Sequence, residues 1–315
     1  MSRYVIKRLL LIIPIIIGIS FVIFTIMALT PGDPASLILS AGATQDDIDA
    51  LNHELGYDRP FMVRYFSYIF DLVRGDMGKS YITRQPVLKQ VLERAPVSLQ
   101  VAFNAIVFSV CVGVPLGVLS AVKQYSLLDS VPTFVALLLA SAPAFLIGMI
   151  LMLIFALRLG WLPSSWALSG DTPIWKRYIL PMLALGLPYA GRQLRFTRSS
   201  MLETIRQDYI RTARAKGAKE QTVIWNHAMR NALLPVITVI GTNFGGLLGG
   251  AVVVETLFSI PGIGTLIVNS IKQKDLPMVM GGTIALAVMF SIIMLIVDLI
   301  HAFVDPRVKA KYKRR

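Results

Sequence analysis

The stretch GDMGKS, residues 75–80, is the first whose residue types suggest chemistry. Glycines ahead of a Lys-Ser pair can wrap backbone amides and an ammonium around a phosphate. That loop requires G-x-x-x-x-G-K-[ST], and Val73 stands where its first glycine belongs, so glycines serving turns account for the stretch better. His53, His227 and His301 are far apart, and no Cys/His/Asp/Glu spacing fits a metal cage. No G-x-S-x-G elbow is present. The residues thus offer no catalytic constellation, no metal site and no cofactor site on this chain.

The elements that would have to position any site are apolar. Of 315 residues, 55% are hydrophobic and 16% charged, with 23 glycines besides. A soluble globule of this length cannot bury that much apolar surface, which excludes disorder, a coiled coil and an ordinary cytosolic enzyme. A bilayer core about 30 Å thick takes about 20 helical residues. Apolar runs at 9–30, 97–122, 131–157, 231–254 and 277–297 meet that need. A shorter run at 178–191 becomes a span if Arg192 and Arg195 reach to the interface.

Charge distribution supports all six. The chain carries 31 Lys+Arg against 18 Asp+Glu, net +13. With both termini inside, the inner pieces 1–8, 123–130, 192–230 and 305–315 hold 19 basic and five acidic residues. The outer pieces 31–96, 158–177 and 255–276 hold 12 of each. That asymmetry is the one expected of cytoplasmic loops. Were 178–191 not to cross, the Arg-rich loop 192–230 would lie outside. The expected fold is an all-α integral membrane protein of six transmembrane helices, N and C termini cytoplasmic. Its parts are 1–30 (tail and first span), 31–96 (an external segment), 97–304 (a five-helix core) and 305–315 (a basic tail). The first apolar run is too long for a cleaved signal peptide and reads as a retained anchor. Cys111, the lone cysteine, lies in the second span and forms no intrachain disulfide.

Within the external segment, PGDP at 31–34 signals a helix start, and helical patterns follow at 45–55 and 61–72. The fifth span concentrates small residues: Gly241, Gly245, Gly246, Gly249 and Gly250 recur at i, i+4, as do Gly113 and Gly117 in the second. Such spacing lets membrane helices approach closely, either within the chain or around a pathway shared with a partner. Pro115, Pro143, Pro181 and Pro188 lie within spans, where kinks are tolerated. Glu255, at the outer end of the fifth span, is expected at the interface, and Asp298 five residues short of the inner end.

The loop 192–230 mixes bases with apolar residues at helical spacing. Leu194, Met201, Ile205, Tyr209 and Ala213 form an apolar stripe, with Arg206, Arg211 and Arg214 around it. Gly217 breaks the helix, and a second short helix over 220–230 leads back to the membrane. A helix–glycine–helix on the inner face suits lipid headgroups or a protein groove. With no base-reading motif, nucleic acid is not a partner.

At this loop the sequence resembles the inner-membrane permease subunits of ATP-binding-cassette importers, in the oligopeptide/dipeptide/nickel group. Their general signature is E-A-A-x-x-x-G followed by I-x-L-P. Here RTARAKG at 211–217 keeps Ala213 and Gly217 and replaces E-A with Arg211 and Thr212. His227 stands at the isoleucine position and Met229-Arg230 at L-P. YIRTARAKG…HAMRNALLP over 209–235 is similar to the peptide group's own version. RYVIKRLLLIIP, PGDP, GDMGKS, QPV, ETLFSIPGIG, KDLP and VDPR extend the likeness along the chain. Lys274 of KDLP stands where the family more often has Arg. The long segment after the first span resembles the B-type member of a permease pair.

The resemblance implies the type I importer permease architecture and a division of labour. A second homologous permease shares the path, two cytosolic ATP-binding subunits supply the stroke, and an external solute-binding protein delivers the cargo. This chain is then a transport subunit, not an enzyme, in the cytoplasmic membrane of a bacterium or archaeon, bathed in membrane lipid. The helix ending at Gly217 becomes the coupling helix. Arg211, Ala213, Arg214, Lys216 and Gly217 are expected to meet the ATPase, with Glu203 and Asp208 orienting it. Peptides are the expected solute, with nickel or another small solute as the alternative. An ion-coupled transporter using Asp298 or Glu255, and a surface-binding protein using the basic loop and tail, are the competing classes.

Overall fold

The computed structural model describes residues 2–39 and 43–304. The tail 305–315 and the side chain of His301 therefore lie outside the described residues. Among the described residues thirteen α-helices follow in chain order. They are α1 (Ser2–Leu29), α2 (Pro34–Ile38), α3 (Gln45–Glu54), α4 (Phe61–Val73) and α5 (Val87–Val122). Then come α6 (Leu127–Ser141), α7 (Ala144–Leu151), α8 (Ile174–Ile205), α9 (Asp208–Ala215) and α10 (Glu220–Thr222). Last are α11 (Arg230–Leu257), α12 (Ile263–Lys272) and α13 (Leu276–Val304). π-helical turns at Met152–Arg158 and Val223–Met229 extend α7 and join α10 to α11. Among the described residues the β-pairing is one isolated bridge between Lys79 and Pro86.

Among the described residues four helices can, by length and composition, cross a membrane: Arg8–Leu29, Val87–Val122, Glu220–Leu257 and Leu276–Ile300. The bent pair Leu127–Ser141 and Ala144–Arg158 adds a fifth when counted as one broken span. The expected run 178–191 lies inside α8, whose 32 residues reach about 48 Å, but whose lysine and arginines lower its apolar share.

Two expectations are corrected. The third run, 131–157, is not a single helix but is broken at Pro143, bending by 106° between α6 and α7. Ala142 (ψ 135°) and Pro143 (ψ 139°) are both extended there; the proline ring pushes Ala142 before it out of the helical region, and Pro143 stands as the N-cap of α7. And no short helix stands alone over 220–230, since the chain runs helically from Glu220 to Leu257 through the π turn.

The described residues form two compact units. One comprises residues 2–98 with 260–291. In it α1 leans on α4 through edge-on aromatic pairs, Phe24–Phe61 at 5.2 Å and Phe21–Tyr65 at 5.3 Å, and the Tyr65 hydroxyl donates to the Ile17 carbonyl at 3.0 Å. Gly75 (φ 85°) and Gly78 (φ 78°) make turns, as expected of GDMGKS. Gly78 N–H donates to Asp76 at 2.8 Å, and the Ser80 hydroxyl donates to the buried Asp275 carboxylate. Asp275 also accepts from the Tyr81 and Met278 amides, so GDMGKS is tied to the first turn of α13.

The other unit comprises 99–259 with residues from 292 onward. Its centre is α8, which packs against α6, α7 and α11. Glycines permit the close approaches. A Cβ on Gly113 would stand 2.6 Å from the Ala190 carbonyl, and one on Gly117 2.7 Å from the Leu194 carbonyl, so α5 crosses α8 backbone to backbone. On α8 itself, Gly191 meets the Ala136 carbonyl of α6 in the same way, at 2.5 Å. Meanwhile Phe134 and Leu138 of α6 stay exposed, the apolar outer surface that a bilayer covers.

Candidate functional site

The loop between α8 and α11 is built on its own core. α8 ends at Ile205 with Arg206 as its cap, and Gln207 turns extended (ψ 149°) to start α9. Asp208 stands in the first turn of α9 and Arg214 in the last, each at the end where the helix dipole favours its charge. Ile210 is fully buried. It packs into a cluster made by Val114, Val118 and Ala121 of α5, Met201 of α8, and Val223, Ala228 and Met229 of the π turn. Ala213 and Ala218 pack against the same cluster, half-buried.

The expected stripe is thus right on α8 and out of phase on α9. Leu194 and Met201 are buried and Ile205 half-buried, but Tyr209 is 44% exposed and Ile210 takes its place. The non-helical junction at Arg206-Gln207 rotates α9, so a period counted through it slips by one residue. The spacing Ile210–Ala213, read from the new helix start, is the signal that would have found it.

Gly217 closes α9 with φ 80°, and its N–H donates to Arg214 O at 2.9 Å. A Cβ there would meet nothing within 4 Å, so the glycine answers a backbone need and not a steric one. Across this turn Arg214 grips Glu220 bidentately, Nη2–Oε1 at 2.6 Å and Nε–Oε2 at 3.1 Å. The pair favours the charged guanidinium and raises its pKa further. Arg214 thereby links α9 to α10 across the Gly217 turn. Arg211, its side chain 76% exposed, lies 3.9 Å from Asp208, a loose pair. Glu203 and Lys216 are exposed as well. The outward surface of α9 is Asp208, Tyr209, Arg211 and Thr212, with Lys216 beyond its end.

α8 also makes a contact that the sequence reading missed. Asp129, 4% exposed near the start of α6, accepts from Arg198 of α8 at 2.5 and 2.7 Å and from the Tyr125 amide at 3.0 Å. Its one signal was a lone acid in the 123–130 loop. Ser200 adds a hydroxyl bond to the Ala232 carbonyl at 3.0 Å, fastening α8 to α11.

The five glycines of α11 divide by role. Gly241 abuts the Val297 side chain of α13 so closely that a Cβ has no room, and Gly245 is buried. Gly250 is in ordinary contact with Leu185, whereas Gly246 faces the Tyr189 hydroxyl and Gly249 opens to space. Glu255, expected at the outer interface, is fully buried near the end of α11. Asp298 is half-buried.

Comparisons with known proteins agree with this architecture. Residues 113–310 match the family described as binding-protein-dependent transport system inner membrane component, and residues 1–102 match the N-terminal model of the same transport systems. The chain is 40% identical to the dipeptide transport system permease protein DppB of Alkalihalophilus pseudofirmus, over 98% of this chain and 100% of that one. It is 39% identical to the glutathione transport system permease protein GsiC of Salmonella choleraesuis, over 99% of this chain and 100% of that one. Among solved structures, the MetNI methionine ABC transporter matches with TM-score 0.58 at 16% identity, covering 70% of this chain and 99% of its own. An amino acid ABC transporter with histidines matches with TM-score 0.53 at 12% identity, covering 70% and 94%. With both models matched and relatives aligned along nearly its whole length, the chain belongs to the family of binding-protein-dependent transport system inner membrane components.

Proposed function

We propose that the chain is one of two homologous permeases enclosing the path of an ATP-driven peptide importer, and that α9 is the helix through which ATP hydrolysis drives it. Family membership implies a solute-binding protein and an ATP-binding partner; the finer assembly proposed has two permeases, two cytosolic ATPases and one external receptor. The α8–α11 loop then faces the cytoplasm with both termini, and 31–96 faces outward. Peptides are the proposed cargo because the relatives at about 40% identity are named for a dipeptide and for glutathione, itself a small peptide.

One observation carries the coupling role. α9 is anchored inward by Ile210 while Tyr209, Arg211 and Thr212 point away from the chain's own core. An anchored helix with a polar-aromatic outer face moves as one body with α5, α8 and α11, so a push on that face reaches the spans. Ala213, by contrast, supports the helix from within, and Arg214 holds the Gly217 turn. The test is reconstitution of the full complex with Arg211→Glu and Tyr209→Ala. Both variants are expected to insert normally and to lose receptor-stimulated ATPase activity and uptake. Uptake at the unmodified rate in both would overturn the assignment.

A further inference from the structure

The outward face of α8 carries an arginine with an unusual setting. Arg192 holds its guanidinium carbon 4.9 Å from the centre of the Tyr189 ring, one turn away on the same helix. Tyr189 reaches in turn to α11, where its hydroxyl lies 3.0 Å from the place a Cβ on Gly246 would take. Gly246 thus makes room for a tyrosine, and the tyrosine steadies an arginine. Arg192 is exposed, and no carboxylate among the described residues pairs with it. Arg198, two turns on, shows the contrast: Asp129 neutralises it.

Arg192 lies in the C-terminal half of α8, six residues before Arg198, about 9 Å back along the helix. An exposed guanidinium is costly against lipid tails and stable against water or an anion. Among the described residues the N–H groups of Arg192 have no hydrogen-bond partner. Their planar fork matches a carboxylate with two parallel hydrogen bonds.

We propose that Arg192, steadied by Tyr189 and given room by Gly246, is an anion station on the translocation path that takes the carboxylate of a passing peptide. The proposal rests on the peptide-importer reading and adds a binding residue to it. The test uses the complete complex in proteoliposomes, at saturating loaded receptor so that receptor affinity drops out. Uptake of one peptide is compared with uptake of the same peptide amidated at its C-terminus. Arg192→Gln is expected to slow the free-carboxylate peptide roughly 10-fold and leave the amide within about twofold of the unmodified complex. Arg192→Lys, which keeps the charge and loses the fork, should fall between. Equal loss of both peptides, or no loss of either, overturns the proposal. If Arg192→Gln assembles poorly, the ratio of the two rates in Arg192→Lys carries the same comparison. A second readout is independent of rate: with Cys111→Ser and Arg192→Cys, a charged, membrane-impermeant thiosulfonate should label the introduced cysteine in the assembled complex. Labelling only by a lipid-soluble maleimide would place the position against lipid and overturn the proposal. If the unmodified complex imports neither peptide, the importer reading itself fails, an outcome distinct from the others.

Discussion

Asp129 and Arg198 form a two-pronged ion pair, 2.5 and 2.7 Å, that binds the start of α6 to α8. Asp129 is 4% exposed, so removing Arg198 strands a buried carboxylate. Breaking a fully buried pair costs about 3–5 kcal/mol; with a quarter of the Arg198 side chain exposed, this one should cost less. Arg198→Gln and Asp129→Asn should each lower the detergent unfolding temperature by several degrees. Arg198→Gln should be the worse, because Asp129→Asn keeps an acceptor for the Tyr125 amide. A double variant no worse than Arg198→Gln alone would verify that the loss is the pair's; simple additivity would refute it.

The glycines predict opposite outcomes from one chemical change. At Gly117 a Cβ would sit 2.7 Å from a backbone carbonyl, which cannot swing aside as a side chain can. At Gly249 nothing lies within 4 Å. Gly117→Ala should therefore lose folded yield and thermal stability, with Gly113→Ala like it, while Gly249→Ala should leave both unchanged in the isolated chain. If Gly249→Ala nevertheless slows uptake in the complex, the open face of α11 serves the path or the second permease.

How much of this was legible beforehand follows from what each signal depends on. Apolar runs long enough to cross a bilayer need no tertiary information, and 97–122 and 277–297 fall within α5 and α13. The Gly217 stop was equally local, since a helix end at positive φ asks for glycine whatever surrounds it. The reading failed where a signal had to be carried across a break. Pro143 lay in plain view, yet the 106° bend depends on Ala142 also turning extended and on how α7 is then received by α8 and α11. Likewise Tyr209 fitted a stripe only if α8 and α9 were one helix. Asp129–Arg198 joins residues 69 apart in sequence, and spacing alone cannot pair them.

Ile210 and Tyr209 are neighbours with separable roles. Ile210 is buried among Val114, Val118 and Met201, and truncating such a residue costs about 2–4 kcal/mol. Ile210→Ala should loosen α9, seen as faster proteolysis between 205 and 220, and uncouple ATP hydrolysis as a consequence. Tyr209→Ala should leave proteolysis unchanged and uncouple all the same. If both variants lose protease resistance together, Tyr209 is part of the support and not of the outer face.

Gly217 offers the sharpest test of whether turn geometry itself transmits the stroke. Its φ of 80° strains any L side chain by about 1 kcal/mol, although space for one is open. Gly217→Asn, the residue that best tolerates this region, should then couple better than Gly217→Ala, and Gly217→Val should be worst. That order follows backbone preference, not size, since asparagine is larger than alanine. Were receptor-stimulated ATPase activity to fall with side-chain volume instead, the position would be a contact surface for the ATPase. Arg214 provides the control. Arg214→Ala removes the bidentate grip on Glu220 but leaves the glycine conformation free, and both side chains are more than a third exposed. It should cost under about 1 kcal/mol and reduce coupling less than Gly217→Val.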